Sequence, residues 1–225
     1  MKKLISSLMV ALGAAPAAAQ APSTIETINP KSIRFTMPTV AADDLKFVMP
    51  TAKTFDGAPQ FHEDEWAQVE FFPSARLSEV QRRLVEYKAF EQRHRGAHGW
   101  TDIYARRIAR SSAILGGAAA VDELASTVHG TRVPSPILTT ASKPLGQVEG
   151  GFSIRLSDKV HLYGLADRAG INALAAILER GADDAALTSA FLALRKSKDV
   201  FLVDWRSQMV LVAPAPTGSL EVWRP

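Results

Sequence analysis

Histidine and acidic side chains are the groups in this sequence best suited to metal binding or acid–base catalysis. His94 and His98 are four residues apart, a spacing that places two imidazoles on one face of a helix. Gly96 lies between them, however, and no glutamate follows His94 as it does in zinc metalloproteases. The run His62-Glu63-Asp64-Glu65 lacks the ligand spacing of a calcium loop. We therefore predict no metal site and no bound cofactor.

The sequence also lacks the motifs by which common catalytic nucleophiles are recognised. It contains no Gly-x-Ser-x-Gly elbow and no Ser-x-x-Lys motif. It contains no cysteine, which excludes zinc sites built on thiolates and stabilisation by disulfides. We assign no catalytic residue, and this absence favours a non-enzymatic role.

A basic segment between residues 74 and 110 is the main charge feature of the chain. It holds nine lysines and arginines against four acidic residues. Arg76, Arg82 and Arg83 lie on the predicted polar face of a helix, where they would suit an anionic partner. The alternative is a solvated helix face on which Glu79 pairs with Arg83 and Glu86 with Arg82.

A seven-residue pattern occurs twice, at Arg34–Val40 and at Lys46–Ala52. Each copy reads basic, aromatic, any residue, Met, Pro, Thr, and a small apolar residue. Proline disfavours a central strand position and favours extended or edge geometry. Phe35 and Phe47 would therefore lie on extended segments, packed either on the protein's own core or on a partner. We name these two phenylalanines as candidate partner-binding residues, together with the three arginines.

The first nineteen residues have the order of a secretory signal peptide. Lys2 and Lys3 precede an apolar run, and small residues follow it, with Ala17 and Ala19 at the positions that signal peptidase requires. The apolar run is roughly a dozen residues long, whereas a spanning helix needs about twenty. We predict cleavage after Ala19, a mature chain that begins at Gln20 without a transmembrane segment, and a location in the periplasm or outside the cell.

Length and charge limit the possible core size and the possible partners of the mature chain. Roughly 205 residues are enough for one sizeable core or two small ones. Removing Lys2 and Lys3 from the 26 basic residues leaves one more than the 23 acidic residues. Because the balance is almost neutral, the sequence does not predict a nucleic-acid partner.

Apolar periodicity gives a coarse map of the elements. A stripe of Leu77, Val80, Leu84, Tyr87 and Phe90 predicts a helix over 75–93. Asp167 and Asp183 are suited to cap two further helices, the first reaching residue 180. Proline and glycine mark a connection at 131–151. Predicted strands cover 66–72, 152–156, 160–165, 200–205, 209–212 and 220–223.

The predicted strands come in adjacent pairs, which favours an α+β fold over alternating strand–helix units. We expect an antiparallel or mixed sheet with helices packed on one face, preceded by an extended N-terminal arm. The domain boundaries are a signal peptide at 1–19, an extended Pro-rich segment at 20–65, and a globular region at 66–225 with an internal connection at 131–151.

Two functions remain open on the sequence. The preferred one is an exported, non-enzymatic binding or accessory protein for a protein partner or an anionic envelope polymer. The alternative is an envelope hydrolase with an unfamiliar carboxylate or histidine site, and clustering of its candidate residues in one pocket would favour it. Those candidates are His62, Glu63, Asp64, His94 and His98.

Overall fold

The structure is a computed structural model that describes residues 34–110, 113–212 and 220–225. The predicted signal peptide and its cleavage site lie outside these residues. Two short 3-10 turns, Glu63–Glu65 and Ser74–Arg76, accompany the helices. The helices in the described ranges are α1 (Ala52–Phe55), α2 (Leu77–His94), α3 (Ala120–Thr127) and α4 (Ala185–Ser197).

The strands are short in the first half of the chain and longer in the second. In chain order they are β1 (Thr39–Ala41), β2 (Phe47–Val48), β3 (Gln60–His62), β4 (Val69–Pro73), β5 (Arg95–Gly96), β6 (Gly99–Trp100), β7 (Tyr104–Arg106), β8 (Leu115–Gly116), β9 (Thr131–Val133), β10 (Ile137–Thr139), β11 (Pro144–Val148), β12 (Gly151–Ser157), β13 (Val160–Asp167), β14 (Gly170–Leu178), β15 (Val200–Asp204), β16 (Met209–Val212) and β17 (Glu221–Trp223).

The main sheet is antiparallel and has nine strands in the described residues. Its order is β17-β16-β15-β4-β14-β13-β12-β9, with β8 paired to β14. The hairpins predicted from the second half of the sequence are present as β12–β13 and β15–β16. Together with the helices, this sheet makes the chain an α+β protein, as the pairing of predicted strands indicated.

The helices lie on both faces of the main sheet. Neighbouring residues of a strand point to opposite faces, and Phe71 packs in a cluster with Leu124 of α3 and Phe191 of α4. Phe72, the next residue, packs instead with Leu84 of α2. The prediction of helices on one face was therefore wrong, because the sheet has an apolar lining on both sides.

Residues 167–180, which were predicted to be a helix, contain strand β14. Its Leu174 packs on the α4 side while Ala175 packs on the other side. A strand buried on both faces is apolar throughout, so its pattern does not differ from that of a buried helix. Asp167 does not cap a helix: its carboxylate accepts hydrogen bonds from the backbone N–H groups of Ala169 (2.7 Å) and Gly170 (3.2 Å) in the tight β13–β14 turn.

The segment 131–151 is also more regular than predicted, because it supplies β9, β10 and β11. The last two belong to a four-stranded sheet of order β2-β11-β10-β3, in which β10 and β3 are parallel and the other pairs antiparallel. Gly146 has φ of 128°, and a Cβ there would lie 2.8 Å from the carbonyl oxygen of Val48. Glycine at this position therefore allows β2 and β11 to approach each other closely, and it does not mark a loop.

The four-stranded sheet packs on the same face of the main sheet as α2. Leu138 of β10 and Val148 of β11 share a buried cluster with Tyr163 of β13 and Ala175 of β14. The described part of the predicted N-terminal segment, from residue 34 to residue 65, supplies β1, β2, α1 and β3. In this sheet β2 and β3 are the two edge strands.

Candidate binding site

A pocket of about 370 Å³ opens beside edge strand β2. It lies between the β1–β2 connection and the 3-10 turn that precedes Trp66. Phe47, Trp66 and Leu138 form part of its apolar wall. The charged lining residues described in the structure are all acidic: Asp43, Asp44, Glu63 and Asp64.

Fixed hydrogen bonds hold the wall of this pocket in place. The indole N–H of Trp66 donates to the carboxylate of Asp43 at 2.8 Å. Ala67, the next residue, has φ of 53°, and its backbone N–H donates to the hydroxyl of Tyr163 at 2.8 Å. That hydroxyl donates in turn to the carbonyl oxygen of Glu65 at 3.2 Å. The turn carrying Glu63 and Trp66 is therefore tied to the main sheet.

An ion network continues from the pocket wall into the interior. Arg110 donates two hydrogen bonds to the carboxylate of Asp43, at 3.0 and 2.7 Å, and also contacts Glu70. Glu70 is buried, and its carboxylate accepts a hydrogen bond from the indole N–H of Trp205 at 3.3 Å. Burial raises the pKa of Glu70, and the charge of Arg110 opposes that rise. The positive charge of Arg110 thus lies against the buried carboxylate of Glu70, away from water.

Arg106 completes the network from strand β7. It donates to the side chain of Thr39 at 2.9 Å and to the carbonyl oxygen of Ala67 at 2.8 Å, and its guanidinium lies 5.0 Å from the centre of the Trp205 ring. Burial lowers the pKa of Arg106 to about 10, so the side chain remains charged at neutral pH. Two arginines face two carboxylates here, and the arrangement fixes the pocket wall instead of offering a free acid or base.

Exposed apolar side chains lie in β2 and in the segment that follows it as far as α1. Met49 is 86% exposed, Phe55 50% and Val48 44%. Gln147 of β11 contacts both β2 and α1. It pairs with Val48 in the β2–β11 ladder, and its side-chain amide donates to the carbonyl oxygen of Thr54 at 3.0 Å. We call Val48, Met49 and Phe55 the β2 patch. The β2 patch adjoins the acidic pocket, because Phe47 of the same two-residue strand lines that pocket.

The structure separates the two phenylalanines of the sequence repeat. Phe47 lies in β2 and lines the pocket, packed against the Trp66 cluster. Phe35 forms an isolated β-bridge with Trp100, with hydrogen bonds of 2.9 and 3.0 Å between their backbones. The two copies of the pattern therefore contact different elements, although their residue types match.

The three arginines named from the sequence differ in how strongly they are engaged. Arg76 makes several hydrogen bonds to the carboxylate of Glu79, at 2.9 and 3.0 Å, and donates to a backbone carbonyl at 2.7 Å. Arg83 donates to Glu86 at 3.0 Å. Arg82 is 67% exposed and lies 4.0 Å from Glu86, so it is the freest of the three.

The structure does not bring all five hydrolase candidates into one pocket: Glu63 and Asp64 line the pocket beside β2, whereas His62, His94 and His98 do not. His62 accepts a hydrogen bond from the backbone of Asp64 at 3.2 Å, and thereby caps the 3-10 turn. His94 stacks on Phe90 with ring centres 4.1 Å apart, at the far end of α2. Within residues 34–110, 113–212 and 220–225, no three His, Asp or Glu side chains are arranged to hold a metal ion.

The sequence reasoning missed the buried ion network. Glu70 interrupts an otherwise apolar strand between Val69 and Phe71, and a lone charge at such a position signals a buried partner. Its partners Arg106 and Arg110 come from a separate part of the chain, so no local spacing identifies them.

The chain matches no protein-family model, and neither curated proteins nor solved structures show a match to it. In the part of the chain that the structure describes, no helix combines the length and apolar character needed to cross a membrane. The function is therefore inferred from the site itself.

Proposed function

We propose that this chain is an exported, non-enzymatic binding protein that docks a protein partner at the β2 edge. The observation that carries the proposal is the β2 patch, where three large apolar side chains are exposed within eight residues beside a strand edge that pairs with no other strand in the described ranges. Contiguous exposed apolar surface is typical of interaction sites, and an open strand edge invites contact with another chain.

The neighbouring pocket indicates the chemistry of that partner. Its acids Asp44, Glu63 and Asp64 favour a cationic group, and its wall of Phe47 and Trp66 offers apolar contact. A lysine or arginine side chain has both properties, because a long apolar stem carries its charge. We infer a partner segment with apolar residues for the β2 patch and a basic residue for the pocket.

Export places this function outside the cytoplasm. The order of charged, apolar and small residues in 1–19 supports a signal peptide that is removed after Ala19. The intact mass of the protein from its natural producer is expected to correspond to a chain beginning at Gln20. A chain that retains Met1 would contradict the export part of the proposal.

A matched pair of surface substitutions tests the docking surface. Met49→Asp places a charge in the β2 patch, whereas Leu192→Asp places one on α4, where Leu192 is also exposed but on the opposite face of the main sheet. The immobilised mature chain is expected to retain one periplasmic protein at a constant ratio, and Met49→Asp to reduce that capture at least about tenfold. Leu192→Asp should leave the capture unchanged.

Two results would contradict this docking surface. One is equal capture by both variants, which would place the contact elsewhere on the molecule. The other is recovery of the chain itself as the bound species, together with a dimer in solution that Met49→Asp dissolves. That result would show the β2 patch to be a contact between copies of this chain.

A further inference from the structure

A polar groove runs along edge strand β3, on the other side of the four-stranded sheet from β2. Two adjoining pockets of about 410 and 470 Å³ form it, and they share Pro59, Gln60 and Glu179. Strand β3 supplies one side of the groove, and the ends of β13 and β14 supply the other. We call this feature the β3 groove.

His161 lines the β3 groove with its hydrogen-bonding capacity unused. The residue is 5% exposed, and its Nδ1 atom is buried with no hydrogen-bond partner among the described residues. Because Nδ1 is buried, Nε2 is the ring nitrogen that faces the groove. A hydrogen on Nδ1 would have no acceptor, so we place it on Nε2, where it can be donated to a ligand.

Three charged side chains of the groove also have unused hydrogen-bonding capacity. The side chains of Arg155, Asp158 and Glu179 make no ion pair or hydrogen bond with another residue in the described ranges. Arg155 lies directly opposite His161 in the β12–β13 ladder. Donors and acceptors therefore line the same opening, and each is able to bind a ligand without breaking an internal contact.

The charges of the β3 groove cancel. Three arginines and three carboxylates line its two pockets, and one pair, Arg206 with Glu65, forms an ion pair. A balanced lining attracts neither a polyanion nor a polycation strongly. Apolar surface is present as well, since Phe61 lines the groove and its ring is held 4.9 Å from that of Tyr163.

We propose that the β3 groove binds an uncharged oligosaccharide. Sugar hydroxyls both donate and accept hydrogen bonds, which matches the donors Arg155 and His161 and the acceptors Asp158 and Glu179, and the C–H faces of a sugar ring match the surface of Phe61. This site is separate from the β2 edge and does not depend on the proposed protein partner.

Calorimetric titration of the chain from Gln20 to Pro225 tests this site with three probes. These are a tetramer of N-acetylglucosamine, an oligogalacturonate as the anionic probe and a lysine oligomer as the cationic probe. The neutral tetramer is expected to bind saturably and with the highest affinity at the groove. Glu179→Gln and Arg155→Gln are each expected to weaken its binding about tenfold, the effect of losing one good hydrogen bond.

Controls separate this proposal from the proposed docking function. Arg82→Gln changes another exposed arginine, which lies outside the groove, and should leave the affinity for the tetramer unchanged. Met49→Asp should also leave it unchanged, even though that variant loses the protein partner. The proposal is overturned if the tetramer does not bind, if both groove variants bind it as the unaltered chain does, or if the oligogalacturonate or the lysine oligomer binds more tightly.

Discussion

The two edges of the four-stranded sheet carry opposite kinds of surface. At the β2 edge, polar groups below the pocket wall satisfy one another: Arg110 bonds Asp43 and Glu70. The exposed β2 patch beside it is apolar. At the β3 edge, His161 and Glu179 line an open groove and have hydrogen-bonding capacity that the described residues do not use. The β2 edge thus combines an internally paired ion network with an exposed apolar patch, whereas the β3 edge presents polar groups without partners among the described residues.

This difference shows how a single small sheet can present two chemistries. A buried charge is stable only when it is paired, so the network below the β2 pocket must be complete in the folded chain. An unpartnered group beside an opening costs less, because water or a ligand can satisfy it. Substitutions at the two edges should therefore have very different effects on stability.

The largest expected effect comes from opening the ion network. Arg110→Ala leaves the carboxylates of Glu70 and Asp43 without their cation, and breaking a buried pair in this way costs about 3–5 kcal/mol. Urea denaturation followed by circular dichroism measures the loss. As a control, Arg132→Ala removes an exposed pair with Asp122 and should cost less than about 1 kcal/mol. Equal losses for the two variants would show that the network does not hold the β2 pocket wall.

A smaller and pH-dependent effect is expected at His161. Its pKa lies below the ordinary value of 6.5, mainly through burial; Glu179 opposes the shift, while Arg155 adds to it. Between the lowered pKa and 6.5 the unfolded chain binds more protons than the folded chain does, so the free energy of unfolding rises with pH across this window. Acidification below 6.5 should therefore destabilise the protein.

His161→Leu isolates that effect. At about pH 8 the stabilities of the variant and the unaltered chain should agree within about 1 kcal/mol, because the substitution removes a buried atom that has no partner. At about pH 5 the variant should gain stability relative to the unaltered chain, since it has no imidazole to protonate. Denaturation at the two pH values measures this difference. A difference that stays constant with pH would refute the assigned environment of His161.

Sequence patterns predicted the elements whose apolar residues face one side. The stripe of α2 was expected over 75–93 and is found at Leu77–His94, with Val80, Leu84 and Tyr87 buried. The β15–β16 hairpin was also expected and is present. Strand β14 was mistaken for a helix because both of its faces are buried, and the strands within 131–151 were hidden by prolines and glycines that lie within or between them.

The candidate sites were less accessible to sequence reasoning. Phe47 was named as a binding residue, and it lines the β2 pocket, although whether it binds a partner is still a prediction. Glu70, Arg110 and His161 were not named. Arg110 and Asp43 are 67 residues apart in the chain, so only the fold brings them together. A charge pattern along one helix could not reveal that contact.

Photo-crosslinking tests the docking surface at the β2 edge most directly. A photoreactive amino acid replaces Met49 in one form of the protein and Leu192 in another, and both forms are irradiated in the producing cell. The β2 docking surface predicts one dominant crosslinked protein from position 49 and none from position 192. The same crosslinked species from both positions, or none from position 49, would contradict it.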